Sequence, residues 1–144
     1  LTINLELSKF EGRFRRPFVA IWIENSNKET VKTLALWFNK PKWLPDLKSW
    51  YNKNYASYNT SQSDISTISS ATRPPGEYAL KWDMKDDKGN AMPPGKYTVY
   101  IEAAREHGTY QLIKQEIDCR KKSQVIQMKG NVEIVAASLE FKSK

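Results

Sequence analysis

Apolar residues recur at every second position in most of this chain, and a period of two residues is that of a β-strand. The segment 1–7 alternates in this way, with Leu and Ile against Thr, Asn and Glu, which predicts a strand with one buried face. The segment 18–24, FVAIWIE, is apolar on both faces, which predicts a central strand. A turn cluster separates it from 31–38, so the two segments predict a hairpin.

The sharpest local pattern lies in 74–102 and predicts a second hairpin. Two alternating segments each follow a Pro-Pro-Gly sequence, and the acidic segment 86–90 between them has the composition of a turn. Trp82 is expected to fill the core, and Asp83 and Asp86 are expected to accept hydrogen bonds from backbone N–H groups of the turn. Further alternating segments follow at 110–117, 125–128 and 132–141.

About eight or nine short strands joined by turns are typical of a β-sandwich. We therefore predict an all-β, antiparallel β-sandwich with one short helix, formed as a single domain over 1–144. The helix is expected at 44–54, because Pro45 and Asp46 suit a first helical turn. The Ser/Thr-rich segment 56–72 has little to bury, and it is expected to be a mobile loop.

Charge and cysteine content exclude some classes of function. The net charge is +7, and the basic side chains cluster at 9–16 and 120–122, where we expect solvated loops. The chain lacks a helix-turn-helix, ribonucleoprotein or zinc-finger pattern, which argues against a nucleic-acid partner. No apolar run approaches the roughly 20 residues of a transmembrane helix. Cys119 is the only cysteine, so internal disulfides and multi-cysteine metal sites are excluded.

The stretch 75–103 resembles the Ig-like repeat of the flagellar hook-capping protein. The shared pattern is Gly-x-Tyr-x-x-x-Trp-Asp-x-x-Asp, then Gly, then Pro-x-Gly-x-Tyr, beginning at Gly76 and ending at Tyr97. The resemblance implies an Ig-like or fibronectin-like sandwich. It says little about function beyond a structural role in an envelope assembly.

Most of the chain resembles one bacterial family of predicted periplasmic proteins whose activity is not established. Five blocks carry the resemblance in order, RPFVAIWIE (16–24), TLALW (33–37), KPKWLP (40–45), ATRPPG (71–76) and EAAREHGTY (102–110). The resemblance implies export to the periplasm with a signal peptide removed. It also implies an association with flavin-transfer and membrane redox components, because members occur alongside them.

The candidate ligand- or partner-binding residues lie in polar or aromatic segments near the ends of the predicted strands or between them, where binding sites commonly collect on a rigid scaffold. They are Arg73, Arg105, Glu106, His107, Trp37 and Trp43. Arg105 could clamp a carboxylate or phosphate, or pair with a neighbouring glutamate. Trp37 and Trp43, with Trp50 and Tyr51, could form an aromatic platform for a sugar, flavin or peptide, although core packing is the commoner use of such residues.

A metal site in this chain would have to be built around a single histidine. His107 is the only histidine, so a metal site would need Glu106 and partners such as Asp83 or Asp86. The acidic segment does not have the spacing of an EF-hand calcium loop, and turn capping is the favoured role of its aspartates. No pattern identifies a cofactor, a catalytic residue or an oligomeric state.

Three hypotheses follow for the function. The first is a non-catalytic periplasmic binding or accessory module that holds an envelope protein or a small ligand through the end loops of the sandwich. The second is a metal- or flavin-linked redox protein that uses His107. The third is a structural domain of an envelope assembly, which exposed and pairing-competent edge strands would support.

Overall fold

The computed structural model describes residues 1–7, 18–38, 47–59, 69–70, 72, 76–86, 88–104, 110–120, 123–128 and 134–141. These residues form nine strands and one helix: β1 (Thr2–Leu7), β2 (Phe18–Glu24), β3 (Thr30–Trp37), α1 (Lys48–Asn59), β4 (Ser69–Ser70), β5 (Gly76–Lys81), β6 (Lys96–Ala104), β7 (Tyr110–Asp118), β8 (Gln124–Met128) and β9 (Ile134–Phe141).

The strands form two sheets, which confirms the predicted all-β sandwich. The four-stranded sheet has the order β5-β1-β9-β8, and the other sheet has the order β4-β3-β2-β6-β7. All neighbouring strands are antiparallel except the two-residue β4, which runs parallel to β3. The hairpin predicted from 18–24 and 31–38 is present as β2 and β3.

The core lies between the sheets and is built by alternate residues. Ile3, Leu5 and Leu7 of β1 are buried there, as are Val99 and Ile101 of β6. Burial of one such aliphatic side chain contributes about 1.5–3 kcal/mol. The period of two seen in 1–7 therefore confirms a strand with one face in the core.

Strand β2 is buried on both faces, as its continuous apolar sequence predicts. Val19, Ile21 and Ile23 point into the sandwich core. Phe18 and Trp22, on the opposite face, belong to a second apolar cluster that includes residues of α1. The helix therefore covers the outer face of the five-stranded sheet.

The predicted hairpin at 74–102 is wrong, because its two strands lie in different sheets. β5 pairs with β1 in the four-stranded sheet, whereas β6 lies between β2 and β7 in the other. The segment between them crosses the end of the sandwich. Trp82 is 2% exposed there and meets the Tyr97 ring edge-on, with centroids 5.1 Å apart. Trp82 fills the core as predicted.

Helix α1 begins at Lys48 and ends at Asn59, later at both ends than the predicted 44–54. It therefore includes the first four residues of the segment 56–72 that was expected to be a loop. Two more residues of that segment, Ser69 and Ser70, pair with β3. Leu47 and Trp50 have no exposed surface and anchor the helix to the sheet.

Candidate functional site

Five of the six predicted site residues lie outside the described residues. They are Arg73, Arg105, Glu106, His107 and Trp43. The sixth, Trp37, is 4% exposed and lies in the sandwich core. Its ring meets the Tyr78 ring edge-on, with centroids 5.4 Å apart. Trp37 therefore lies in the packing between the two sheets.

The acidic turn is a capped turn, as its composition predicts. The Asp86 carboxylate accepts hydrogen bonds from the backbone N–H groups of Lys88 and Asn90, at 2.9 and 2.8 Å. These hydrogen bonds, of which the one from the Asn90 backbone has the largest effect, hold the pKa of Asp86 below its ordinary value. Asp83 accepts a bond from the backbone N–H of Lys85 at 3.1 Å. Among the residues that the structure describes, no three His, Cys, Asp or Glu side chains are grouped to hold a metal ion.

A buried carboxylate lies beneath the start of α1 on the outer face of the five-stranded sheet. Glu102 is fully buried and accepts hydrogen bonds from the backbone N–H groups of Ser49 and Trp50, at 2.7 and 2.9 Å. The Tyr110 hydroxyl donates a further bond to it. The first N–H groups of a helix have no partner within the helix, and a negative charge there also complements the helix dipole. Glu102 therefore caps α1 from the sheet.

A second buried carboxylate holds the middle of the helix. Glu24 is 3% exposed and accepts a hydrogen bond from Trp22 Nε1 at 2.9 Å. Lys53 Nζ, from α1, lies 2.7 Å from the same carboxylate. The Trp22 ring stacks on the Tyr100 ring with centroids 4.9 Å apart. Both buried carboxylates thus have partners from α1, which explains how charge is tolerated beneath the helix.

The aromatic residues of this face are structural. Trp50 has no exposed surface, and its Nε1–H donates to the Thr33 hydroxyl at 3.2 Å. Tyr51 is only partly buried and packs against the edge of the same apolar cluster. Of the four aromatic residues considered for a ligand platform, Trp37 and Trp50 are therefore in core packing, on opposite sides of one sheet.

The outer face of the four-stranded sheet has a different character. None of the described helices or strands lies over it, and it forms a shallow open trough of about 460 Å³. Both small residues and carboxylates line it. The lining side chains on this face include Asn4, Glu6, Glu77, Ala79, Ala136 and Ser138.

Strand register sets the charge pattern of this trough. Glu6 lies directly opposite Glu77 across the β1–β5 pair. Glu140 of β9 lies opposite Thr2 of β1. Since Thr2 and Glu6 are four residues apart, Glu140 is displaced from Glu6 by about 13 Å along the direction of β1. Lys81 lies opposite Thr2 from the other side. The described part of this face thus carries three glutamates and one lysine, on a chain whose net charge is +7.

Sequence reasoning missed this face. Glu6, Glu77 and Glu140 are the polar members of alternating segments, so the sequence indicates that each points outward. Their proximity depends on the pairing of β1 with β5 and β9, which periodicity alone does not define. No sequence signal groups the three glutamates, because each strand contributes only one of them to this face.

Comparison with known proteins gives the chain a family. A family model described as "Predicted periplasmic protein (DUF2271)" matches residues 1–136. The chain belongs to this family. No curated protein and no solved structure matches the chain.

Membership of the DUF2271 family places the protein in the periplasm, which confirms the location implied by the sequence blocks. Among the described residues, no helix is long and apolar enough to span a membrane. The likeness to the hook-capping repeat is not supported by these comparisons, so an Ig-like strand arrangement stays a prediction.

Proposed function

We propose that this DUF2271 protein is a non-catalytic periplasmic accessory module that binds a basic protein segment on the open face of its four-stranded sheet. The observation that carries the proposal is the contrast between the two outer faces. One is covered by α1 and its aromatic cluster, whereas the other is a trough lined with carboxylates. An open concave face on a rigid scaffold is a common place for a binding site.

Charge identifies the kind of partner. The described part of the face has an excess of two negative charges, from Glu6, Glu77 and Glu140 against Lys81, in a protein that is basic overall. Among the described residues, no lysine or arginine forms an ion pair with these three glutamates. A partner with exposed lysine or arginine side chains would be complementary to this face, and its approach would be steered there.

The spacing of the charges adds a geometric requirement. The Glu6–Glu77 pair and Glu140 lie about 13 Å apart along β1. An extended segment with basic side chains four residues apart has the same spacing. The small side chains of Ala79, Ala136 and Ser138 leave room for its backbone between the two acidic positions.

The like-charged pair supports a binding role rather than a structural one. Carboxylates directly opposite each other on neighbouring strands repel, which reduces the stability of the sheet. Glu6 and Glu77 form such a pair at the non-core face. A cationic partner between them would remove the repulsion.

The test is titration with a synthetic peptide whose two lysines are four residues apart and separated by Thr and Ser, followed by backbone amide NMR shifts. We expect the largest shifts at Asn4, Glu6, Ala79 and Ser138. The double variant Glu6→Gln/Glu77→Gln should bind about tenfold more weakly. A matched control, Glu29→Gln, neutralises an exposed glutamate in the β2–β3 turn and should leave the affinity unchanged.

The end loops predicted from the sequence are the competing location for the same function, and the titration separates the two. Arg73, Arg105, Glu106, His107 and Trp43 carry that alternative. If the double variant Arg105→Ala/His107→Ala loses binding while Glu6→Gln/Glu77→Gln retains it, the open face is not the binding surface. Shifts confined to residues outside the four-stranded sheet would contradict the proposal in the same way.

A further inference from the structure

The outer edge of β7 differs from the other described sheet edges in length. β7 (Tyr110–Asp118) is nine residues long, whereas the other edge strands β4, β5 and β8 have two, six and five. Its pairing with β6 continues without a register shift from Lys96↔Asp118 to Ala104↔Tyr110. No described strand pairs with its other side.

Edge strands of soluble proteins are usually short, bulged or guarded by charge, because a long regular edge is a template for another strand. Bulges occur elsewhere in this fold, in the β1–β9 and β2–β3 pairs. The outward face of β7 carries Leu112, Lys114 and Glu116 in alternation, and Leu112 is 40% exposed. A lysine such as Lys114 opposes the addition of another strand to a sheet edge, but it attracts a strand that places a carboxylate opposite it.

We propose that β7 pairs with β7 of a second copy, in an antiparallel register centred on Gln115, so that the five-stranded sheets of two molecules become continuous. This interface is independent of the proposed function, since it lies on the other sheet and at an edge rather than on a face.

The register follows from the charges. A two-fold axis perpendicular to the sheet leaves the outer faces of both copies on the same side of the joined sheet. Residues of the two copies at equal distances from the axis then lie directly opposite each other. Centring on Lys114 or on Glu116 would place two like charges together at the axis. Centring on Ile113 would place Lys114 opposite Leu112 and Glu116 opposite Tyr110, so that neither charge would meet an opposite one. Centring on Gln115 places Lys114 opposite Glu116 of the second copy, twice per dimer.

The inner face is consistent with the same register. Ile117 is 1% exposed and Ile113 is partly buried against the core, and in this register each lies opposite the other in the second copy. The existing Lys96–Glu116 contact is long, at 4.0 Å, and both side chains are more than half exposed. Glu116 is therefore available to a closer partner.

Sedimentation equilibrium over a range of concentrations tests the proposal. We expect the protein to dimerise reversibly. Lys114→Glu should weaken the dimer about tenfold, because two attractive pairs become repulsive. The charge exchange Lys114→Glu/Glu116→Lys should restore dimerisation to within a few-fold of the original. A protein that stays monomeric at millimolar concentration, or a Lys114→Glu variant with unchanged dimerisation, would overturn the proposal.

Cross-linking tests the register without relying on charge. In the proposed register Gln115 faces its own copy, at the Cα separation of about 5 Å that a disulfide accepts. Gln115→Cys should therefore form an intermolecular disulfide under mild oxidation. The matched control Lys114→Cys places the two sulfurs on diagonal positions about 7 Å or more apart and should not. Equal cross-linking of both variants would contradict the register. Circular dichroism and unfolding midpoints verify that each variant is folded.

Discussion

The carboxylate of Glu102 accepts a hydrogen bond from the backbone N–H of Trp50 at 2.9 Å, across a sequence separation of 52 residues. A strand of the sandwich therefore caps the helix that covers it. Because the Ser49 N–H donates to the same carboxylate, the start of α1 has a defined position on the sheet. The helix thus occupies the outer face of the five-stranded sheet. Among the described residues, no helix covers the outer face of the opposite sheet, and the carboxylates of Glu6, Glu77 and Glu140 line an open trough there.

Removal of this cap should destabilise the whole fold. Glu102→Ala leaves the buried N–H of Trp50 and the part-buried N–H of Ser49 without their acceptor, and we expect a loss of about 3 kcal/mol in the free energy of unfolding. The measurement is urea denaturation followed by circular dichroism. Asn52→Ala, at an exposed position of the same helix, is the control and should change stability by less than about 0.5 kcal/mol. A Glu102→Ala loss no larger than that of the control would contradict the capping role.

The Tyr110 hydroxyl should give the protein an alkaline limit. Burial, and then the hydrogen bond to Glu102, raise the pKa of Tyr110 above its ordinary value of 10.0. A raised folded-state pKa means that the neutral phenol is favoured by folding, so its contribution is complete below pH 10 and is lost as the pH rises through the folded-state value. Tyr110→Phe should therefore be less stable at neutral pH by about 1 kcal/mol and show a weaker decline above pH 10. Parallel urea curves at both pH values check this, and an equal decline in both proteins would contradict it.

The fold was predictable to the extent that single strands determine it. Period-two alternation at β1 and double-sided burial of β2 follow directly from residue type. The failure at 74–102 has a specific cause. Turn residues at 86–90 predict that the chain reverses, and it does so locally, with Lys85 bridged to Ala91. They do not determine whether the flanking strands return to the same sheet. That depends on pairing with strands distant in the sequence, β1 for β5 and β2 for β6.

The candidate site was less predictable for a related reason. Trp37 was identified by residue type, and an aromatic residue suits a core and a binding site equally well. Its position in β3, opposite Val19, places it on the core face. Glu6 and Glu77 were not identified, because only the register of β1 with β5 brings them together.

Substitution of Trp37 distinguishes a core residue from a binding residue. Trp37→Ala should cost about 3–5 kcal/mol, because the side chain is 4% exposed and would leave a cavity beside Tyr78. Trp37→Phe keeps a ring against Tyr78 and should cost about 1–2 kcal/mol. Chemical denaturation of both variants provides the measurement. A stable Trp37→Ala protein that no longer binds the lysine peptide would instead identify Trp37 as a binding residue.

The Cys119 thiol should react only when the protein opens. It is 2% exposed, and burial raises its pKa from 9.0 to about 11, so both access and the thiolate fraction are low at pH 8. Reaction with a disulfide reagent should be slow in buffer and fast in urea. An Asn27→Cys variant, exposed in the β2–β3 turn, is the internal control and should react at once. Rapid reaction of Cys119 without urea would contradict its burial.

Because the neutral thiol of Cys119 is favoured by folding, its contribution to stability is complete below pH 9 and is lost as the pH approaches 11.

Neutralising one member of the Glu6–Glu77 pair should increase stability. Glu77→Gln removes the repulsion between opposite carboxylates on β1 and β5, and we expect a gain of about 0.3 kcal/mol at low salt. The gain should shrink in high salt, because mobile ions screen exposed charges.

Urea denaturation at two salt concentrations measures both effects, with Glu29→Gln as the control for removing a glutamate from a protein of net charge +7. The control matters because removing any glutamate from this basic protein increases its net positive charge, which by itself lowers stability. A Glu77→Gln variant that is more stable but binds the lysine peptide less tightly would show that the open face retains a destabilising charge pair for binding. Equal effects of Glu77→Gln and Glu29→Gln on stability would remove this reason for assigning a function to the face.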